Sequence, residues 1–176
     1  MPGETRRLEM KKWKFSGTSI IASILFVLQY ILAFFVYKLP GLPALQWLGG
    51  IIWVLSIIFG VAPIFILRNR GGVAKGQSYV KTTQLVDSSL YAIVRHPQYL
   101  AGMLFNLSMM LLAQHWLVIL VGVVSMVLFY IDTQPADQDG IDKFGEAYRE
   151  YMRRVPRLNF LLGILRVIQQ RRHKVQ

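Results

Sequence analysis

Residues 97–131 read PQYLAGMLFNLSMMLLAQHWLVILVGVVSMVLFYI, 35 residues without an Asp, Glu, Lys or Arg. A single helix of that length would reach ~52 Å, too long for one passage through a bilayer core of ~30 Å. The most polar point, Gln114-His115-Trp116, falls near the middle. The stretch therefore reads as a helical hairpin of two crossings, each about 17 residues and at the short end of the spanning range.

Two further apolar runs precede it. Ala44 to Leu67 is 24 residues without a charge, and Phe15 to Tyr37 is 23, bracketed by Lys14 and Lys38. Both exceed the ~20 residues a helix needs to cross a bilayer. The first is longer than the ~7–15 apolar residues of a cleaved signal, so it reads as a retained anchor. The expected fold is an all-α integral membrane bundle of four transmembrane helices, with crossings at about 15–37, 44–67, 97–113 and 116–131.

Composition agrees with this placement of the apolar residues. Of 176 residues, 54% are hydrophobic and only 16% charged, below the roughly 25% charge of average soluble domains. Cysteine is absent, which excludes disulfide scaffolds, zinc-thiolate sites, iron–sulfur clusters and cysteine nucleophiles. Yet the formal net charge is +11. With four crossings, both termini share a side with the loop between crossings two and three. Five basic residues precede Phe15 (Arg6, Arg7, Lys11, Lys12, Lys14), and five occupy the loop (Arg68, Arg70, Lys75, Lys81, Arg95). Nine more follow Ile131, and of the 20 only Lys38 falls opposite. The positive-inside rule makes the crowded side cytoplasmic. Trp47 and Trp116 then fall near the outer interface and Trp13 near the inner one. No nucleic-acid recognition motif accompanies the charges, and attraction to anionic cytoplasmic lipids accounts for them. Apart from His115, no ionisable residue other than tyrosine lies within the crossings, which argues against coupled transport.

The expected cytoplasmic segments carry the chemistry. Pro97 suits the first position of the third crossing, where a missing N–H costs nothing. Arg95 and His96 then stand at the mouth of that helix, beside its partial positive charge, where an anionic group can be received. Beyond Ile131, residues Ile141, Phe144, Tyr148, Tyr151 and Val155 recur at steps of three and four. They form one apolar-aromatic face of a helix expected over 136–155, ended by Pro156. Residues 159–176 mix Phe160, Leu161, Leu162, Ile164 and Leu165 with Arg166, Arg171, Arg172 and Lys174. They read as an interfacial helix and a basic tail.

Leu85-Val86, Tyr91 and Arg95-His96-Pro97-x-Tyr99-x-x-Gly102 resemble the motif of the isoprenylcysteine carboxyl methyltransferases and the related membrane phospholipid methyltransferases. Phe144-Gly145-x-x-Tyr148-x-x-Tyr151 with Val155-Pro156-Arg157 resembles their C-terminal signature. The two motifs, in order and separated by a hairpin, cover residues 83–158. The resemblance implies S-adenosylmethionine as methyl donor and a lipidic acceptor entering from the bilayer. Carried over position by position, it implies cofactor contacts from Thr83, Gln84, Leu85, Val86, Tyr91, His96, Pro97, Gln98, Tyr99, Gly102 and Tyr148. It also implies Asp137 as the match to an acidic start of the C-terminal helix, with Ala136 competing if the register slips by one. Arg95 and Arg157 are the residues expected to hold an acceptor at the boundary, and Asp137 completes the catalytic set.

Two positions depart from the family pattern. Ser89 stands where a Gly is usual two residues before Tyr91. Asp132-Thr133 stands where the isoprenylcysteine enzymes carry a substrate-contacting Arg. An acid there would repel a carboxylate acceptor, unless Arg157 or Arg153 supplies the missing charge, and suits an amine. An amine must lose a proton, with Asp132, Asp137 or His96 as candidate bases. Two alternatives stay open: a non-catalytic membrane scaffold or lipid-interaction protein on the same fold, and an NADPH-dependent membrane reductase.

Overall fold

The computed structural model describes residues 17–37 and 41–173. The basic N-terminal segment with Trp13, the isolated Lys38, and Lys174 lie outside the described residues. Among the described residues six α-helices follow one another: α1 (Gly17–Val36), α2 (Pro43–Arg70), α3 (Pro97–Ala113), α4 (Trp116–Phe144), α5 (Glu146–Arg154) and α6 (Phe160–His173). A single 3-10 turn, Ser89–Ala92, interrupts the long α2–α3 connection. No strand occurs among the described residues.

Helices α1, α2 and α4 are long and apolar enough to cross a membrane. Their outward faces carry large exposed apolar side chains, among them Phe34, Phe35, Trp47, Ile51, Phe65 and Leu120. So broad an apolar exterior is stable only in lipid, and the protein is an integral membrane protein. Helix α3, 17 residues and ~25 Å long, is the inner member of the bundle and packs on α1, α2 and α4.

Its central position explains how it tolerates polar residues. Ser108 donates to the Gly49 carbonyl of α2 at 2.9 Å, and Gln29 of α1 donates to the carbonyls of Asn106 and Val118 at 3.1 and 3.2 Å. Where no water reaches, such side chains are stable only with partners on neighbouring helices. Gly49 lets α2 and α3 close on one another: a Cβ there would lie 3.0–3.2 Å from Leu111 and Leu112.

Long-range contacts identify the two ends of the bundle. At one end Gln114, the left-handed cap of α3, grips both backbone groups of Leu42 at 2.9 Å. This joins the α1–α2 and α3–α4 turns. At the other end Thr18 and Ser19, in the first turn of α1, donate to the two oxygens of Asp132 on α4. The C-terminal end of α2 and the N-terminal end of α3 meet there as well, because Leu67 and Pro97 line one cavity. This second end is called the site end below.

One helix differs from expectation. Instead of a crossing that stops near Ile131 and a separate helix over 136–155, α4 runs unbroken from Trp116 to Phe144, through Pro135. The break falls at Gly145, with φ 60° and ψ −133°, backbone angles essentially reserved to glycine. Even so, the face expected from Ile141, Phe144, Tyr148, Tyr151 and Val155 forms. The bend folds α5 back so that these side chains make one cluster with Leu85, Tyr91 and Met152.

Candidate active site

The chain enters α3 through Val94-Arg95-His96, with His96 as the cap and Pro97 as the first helical residue. This segment lies alongside the chain leaving α5. The Arg95 N–H donates to the Pro156 carbonyl at 3.1 Å and the His96 N–H to the Arg157 carbonyl at 3.3 Å. Buried backbone donors need such partners, and the pairing brings the two motif segments, sixty residues apart, side by side.

Asp137 is the centre of the arrangement. It is 3% exposed. Its Oδ1 accepts from Arg95 Nη1 at 3.1 Å, from the Tyr148 hydroxyl at 3.1 Å and from His96 Nε2 at 2.8 Å. Its Oδ2 accepts from Arg157 Nε at 2.9 Å. A carboxylate only accepts, so the His96 proton on this bond sits on Nε2. It offers about four acceptor positions, two on each oxygen; three donors crowd Oδ1 and one takes Oδ2. A buried carboxylate is tolerated because cationic and hydroxyl donors pair both of its oxygens, and the pairing holds four side chains from three parts of the chain. Burial first, then the adjacent Asp137 charge, pushes the Tyr148 hydroxyl well above its usual pKa, so Tyr148 remains a donor through the ordinary pH range. Burial likewise raises Tyr151, which donates to the Tyr91 carbonyl at 2.7 Å.

Beside this cluster lies a cavity of about 210 Å³. Of the residues expected to contact a cofactor, Gln84, Leu85, Val86, Tyr91, His96, Pro97, Gln98, Tyr99 and Tyr148 line it, together with Arg95. Asp137 and Arg157 are not on the wall. Asp137 is bonded to three residues that are, Arg95, His96 and Tyr148, and Arg157 is bonded to Asp137. Ala136 does line the cavity, so of the two competing registers the alanine faces inward. Thr83 is turned away, with its hydroxyl on the Gly72 carbonyl at 2.8 Å. Gly102 lies farther along α3 against the Phe129 ring, where a Cβ would stand 3.1 Å away. Its place is in helix packing rather than on the cavity wall.

Asp132 does not face the cavity. Its carboxylate is held by Thr18 and Ser19 and is 2% exposed. The expected repulsion of a carboxylate acceptor by this acid therefore loses its geometric basis, as does its candidacy as a base.

Leu67, Val80, Thr82 and Gly140 also line the cavity and were passed over by sequence reasoning; Gly140 is the one that carries a signal. It lies inside α4, where glycine is unfavourable, and a Cβ there would overlap the Tyr148 ring. A glycine in a helix interior is itself the signal of such close approach. Arg95 carries a further feature: its Nε is buried and has no hydrogen-bond partner among the described residues.

A family model described as phospholipid methyltransferase matches residues 44–135, just over half of the chain. The match takes in α2, the loop, α3 and α4 as far as Pro135, and stops two residues before Asp137. No curated protein and no solved structure matches the chain.

Proposed function

The chain belongs to the phospholipid methyltransferase family, and on that footing we propose that it transfers a methyl group from S-adenosylmethionine to a lipidic acceptor at the site end of the bundle. The reading places that end on the cytoplasmic face, with α3 as a fourth crossing, since Arg68, Arg70, Lys75, Lys81 and Arg95 all belong to it.

The observation that carries this reading is the orphaned Nε of Arg95. A buried guanidinium donor without a partner is costly, and a carboxylate, such as that of a methionine moiety, is the acceptor that satisfies it. Tyr91, Tyr99 and Tyr148 add aromatic surface for a purine or a sulfonium. The residues present thus fit the donor. The cavity is below the roughly 300–1,000 Å³ of typical ligand sites, so binding requires it to widen. The wall formed by Val80, Thr82 and Gln84 belongs to a non-helical segment and is the part that can yield.

When bound, the donor supplies an electrophilic methyl group, displaced in line from a sulfonium. The protein's part is alignment and exclusion of water. Arg95 and His96, both locked by Asp137, orient an anionic group. A carboxylate acceptor needs no base. For an amine acceptor, Asp137 is off the cavity wall and Asp132 is held by α1, so Nδ1 of His96 is the remaining candidate to take the proton.

Isothermal titration of the purified protein with S-adenosylmethionine tests the reading. Binding is expected, weakened by His96→Ala and Tyr99→Phe; no binding to the unaltered protein would sink it. A thermal shift with NADPH instead would favour the reductase alternative. The use of Asp137 to tie four donors together favours one other reading, a non-catalytic scaffold. Cofactor binding without methyl transfer to any lipid extract would select it.

A further inference from the structure

Helix α6 has two unlike faces. Phe160 and Gly163 face the protein: the Phe160 ring packs on Phe59 of α2 with centroids 5.5 Å apart, and Gly163 is buried against the backbone of Ile93. A Cβ at Gly163 would overlap the Ile93 carbonyl oxygen. Opposite, Leu161, Ile164, Leu165 and Ile168 are all exposed. They fall at i, i+3, i+4 and i+7, a single apolar stripe.

The position of this stripe indicates what covers it. Phe59 lies nine residues before Arg68 on α2, or ~13 Å along the helix axis. If Arg68 marks the water boundary, α6 starts at the level of the acyl chains and not in free solution. The stripe is thereby continuous with the apolar exterior of the bundle. Arg166 and Arg172 flank it, and the sequence adds Arg171 and Lys174 at the same end, with no acid after Glu150.

We infer that α6 lies in the membrane plane on an anionic lipid surface, its apolar stripe among the acyl chains and its arginines at the headgroups. Through Gly163 it presses on Ile93, two residues before Arg95, and through Arg166 it holds the Arg154 carbonyl at 3.1 Å. Lipid engagement therefore steadies the Val94–His96 segment: α6 is a lipid-responsive brace for the loop that carries Arg95 and His96.

The absence of cysteine permits single-cysteine labelling of the full chain without background. An environment-sensitive fluorophore is placed at Leu161, Leu165 or Gln169, and the protein is reconstituted in phosphatidylcholine vesicles with or without phosphatidylglycerol. Labels at Leu161 and Leu165 are expected to be quenched by nitroxide-bearing lipids and shielded severalfold from iodide, more so with phosphatidylglycerol. The label at Gln169 should show the reverse preference. Arg166→Gln combined with Arg172→Gln should remove the phosphatidylglycerol increment. Equal iodide access at all three positions overturns the proposal. So does shielding that ignores phosphatidylglycerol, or that rises with protein-to-lipid ratio, which would point to a second copy of the chain. Amide exchange at Arg95 and His96 should slow severalfold with phosphatidylglycerol; unchanged exchange overturns the bracing role. These readouts need no methyl transfer, so they stand or fall apart from the enzyme reading.

Discussion

Nε2 of His96 lies 2.8 Å from Oδ1 of Asp137 across 41 residues of chain that include a whole helical hairpin. The contact is made at the entrance of α3 and the last third of α4, and it is one of four that converge on the same carboxylate. Replacing the carboxylate by an amide leaves one accepting oxygen for four donors and no negative charge opposite the buried Arg95. Asp137→Asn is expected to destabilise the protein by about 3–5 kcal/mol, because it leaves the buried Arg95 unpaired. Thermal unfolding in detergent would register it, together with loss of S-adenosylmethionine binding. A variant as stable as the parent would show that the cluster does not organise the site.

The contact of Gly140 with Tyr148 yields a subtler variant. Gly140→Ala raises helix propensity by about 1 kcal/mol, so a purely local account predicts stabilisation. The added Cβ overlaps the Tyr148 ring, and Tyr148 must swing away from Asp137. Weaker cofactor binding with little gain or a net loss in melting temperature is the expected result.

Ser89 sits at φ 57°, in the left-handed region, at a position where a glycine is usual in the resembling families. Crowding of Cβ there costs roughly 1–2 kcal/mol, and the greater unfolded freedom of glycine offsets part of it. Ser89→Gly is expected to stabilise the protein by about 0.5–1 kcal/mol, seen as a raised melting temperature. A lowered one would mean that the serine side chain holds the turn.

Asp132 separates a structural from a chemical role. Asp132→Asn keeps an acceptor for Thr18 or Ser19 and should leave cofactor affinity and any methyl transfer nearly unchanged. Asp132→Ala removes the carboxylate to which both hydroxyls donate and should cost about 1–3 kcal/mol of stability. Loss of turnover in the asparagine variant at unchanged melting temperature would restore Asp132 as a base.

Much of the fold was legible in the chain itself, because an apolar stretch longer than a bilayer is thick has few structures open to it. The apolar runs 15–37, 44–67 and 97–131 mark their helices by hydropathy and length, and the turn at Gln114-His115 is marked by its polarity, whereas the polar extension of α4 from Asp132 to Phe144 follows from neither. The cavity-wall residues from Gln84 to Tyr99 were within reach because they are close in sequence and carried by a motif. What hydropathy does not encode is which side of a helix a residue faces across the bundle. Asp132 and Asp137 are five residues apart on one helix, and in sequence they are equivalent acids. Tertiary packing turns the first to the hydroxyls of α1 and the second to Arg95, His96, Tyr148 and Arg157. Likewise, the break at Gly145 rather than Pro135 depends on packing. A helix accepts a proline where its neighbours support it, whereas φ 60° with ψ −133° at Gly145 directs α5 back onto the site. Sequence alone determined that this protein lives in a membrane and carries a charged, aromatic motif at a helix entrance. Only the tertiary structure decided which acid holds that motif together, because a carboxylate's role is set by the donors around it.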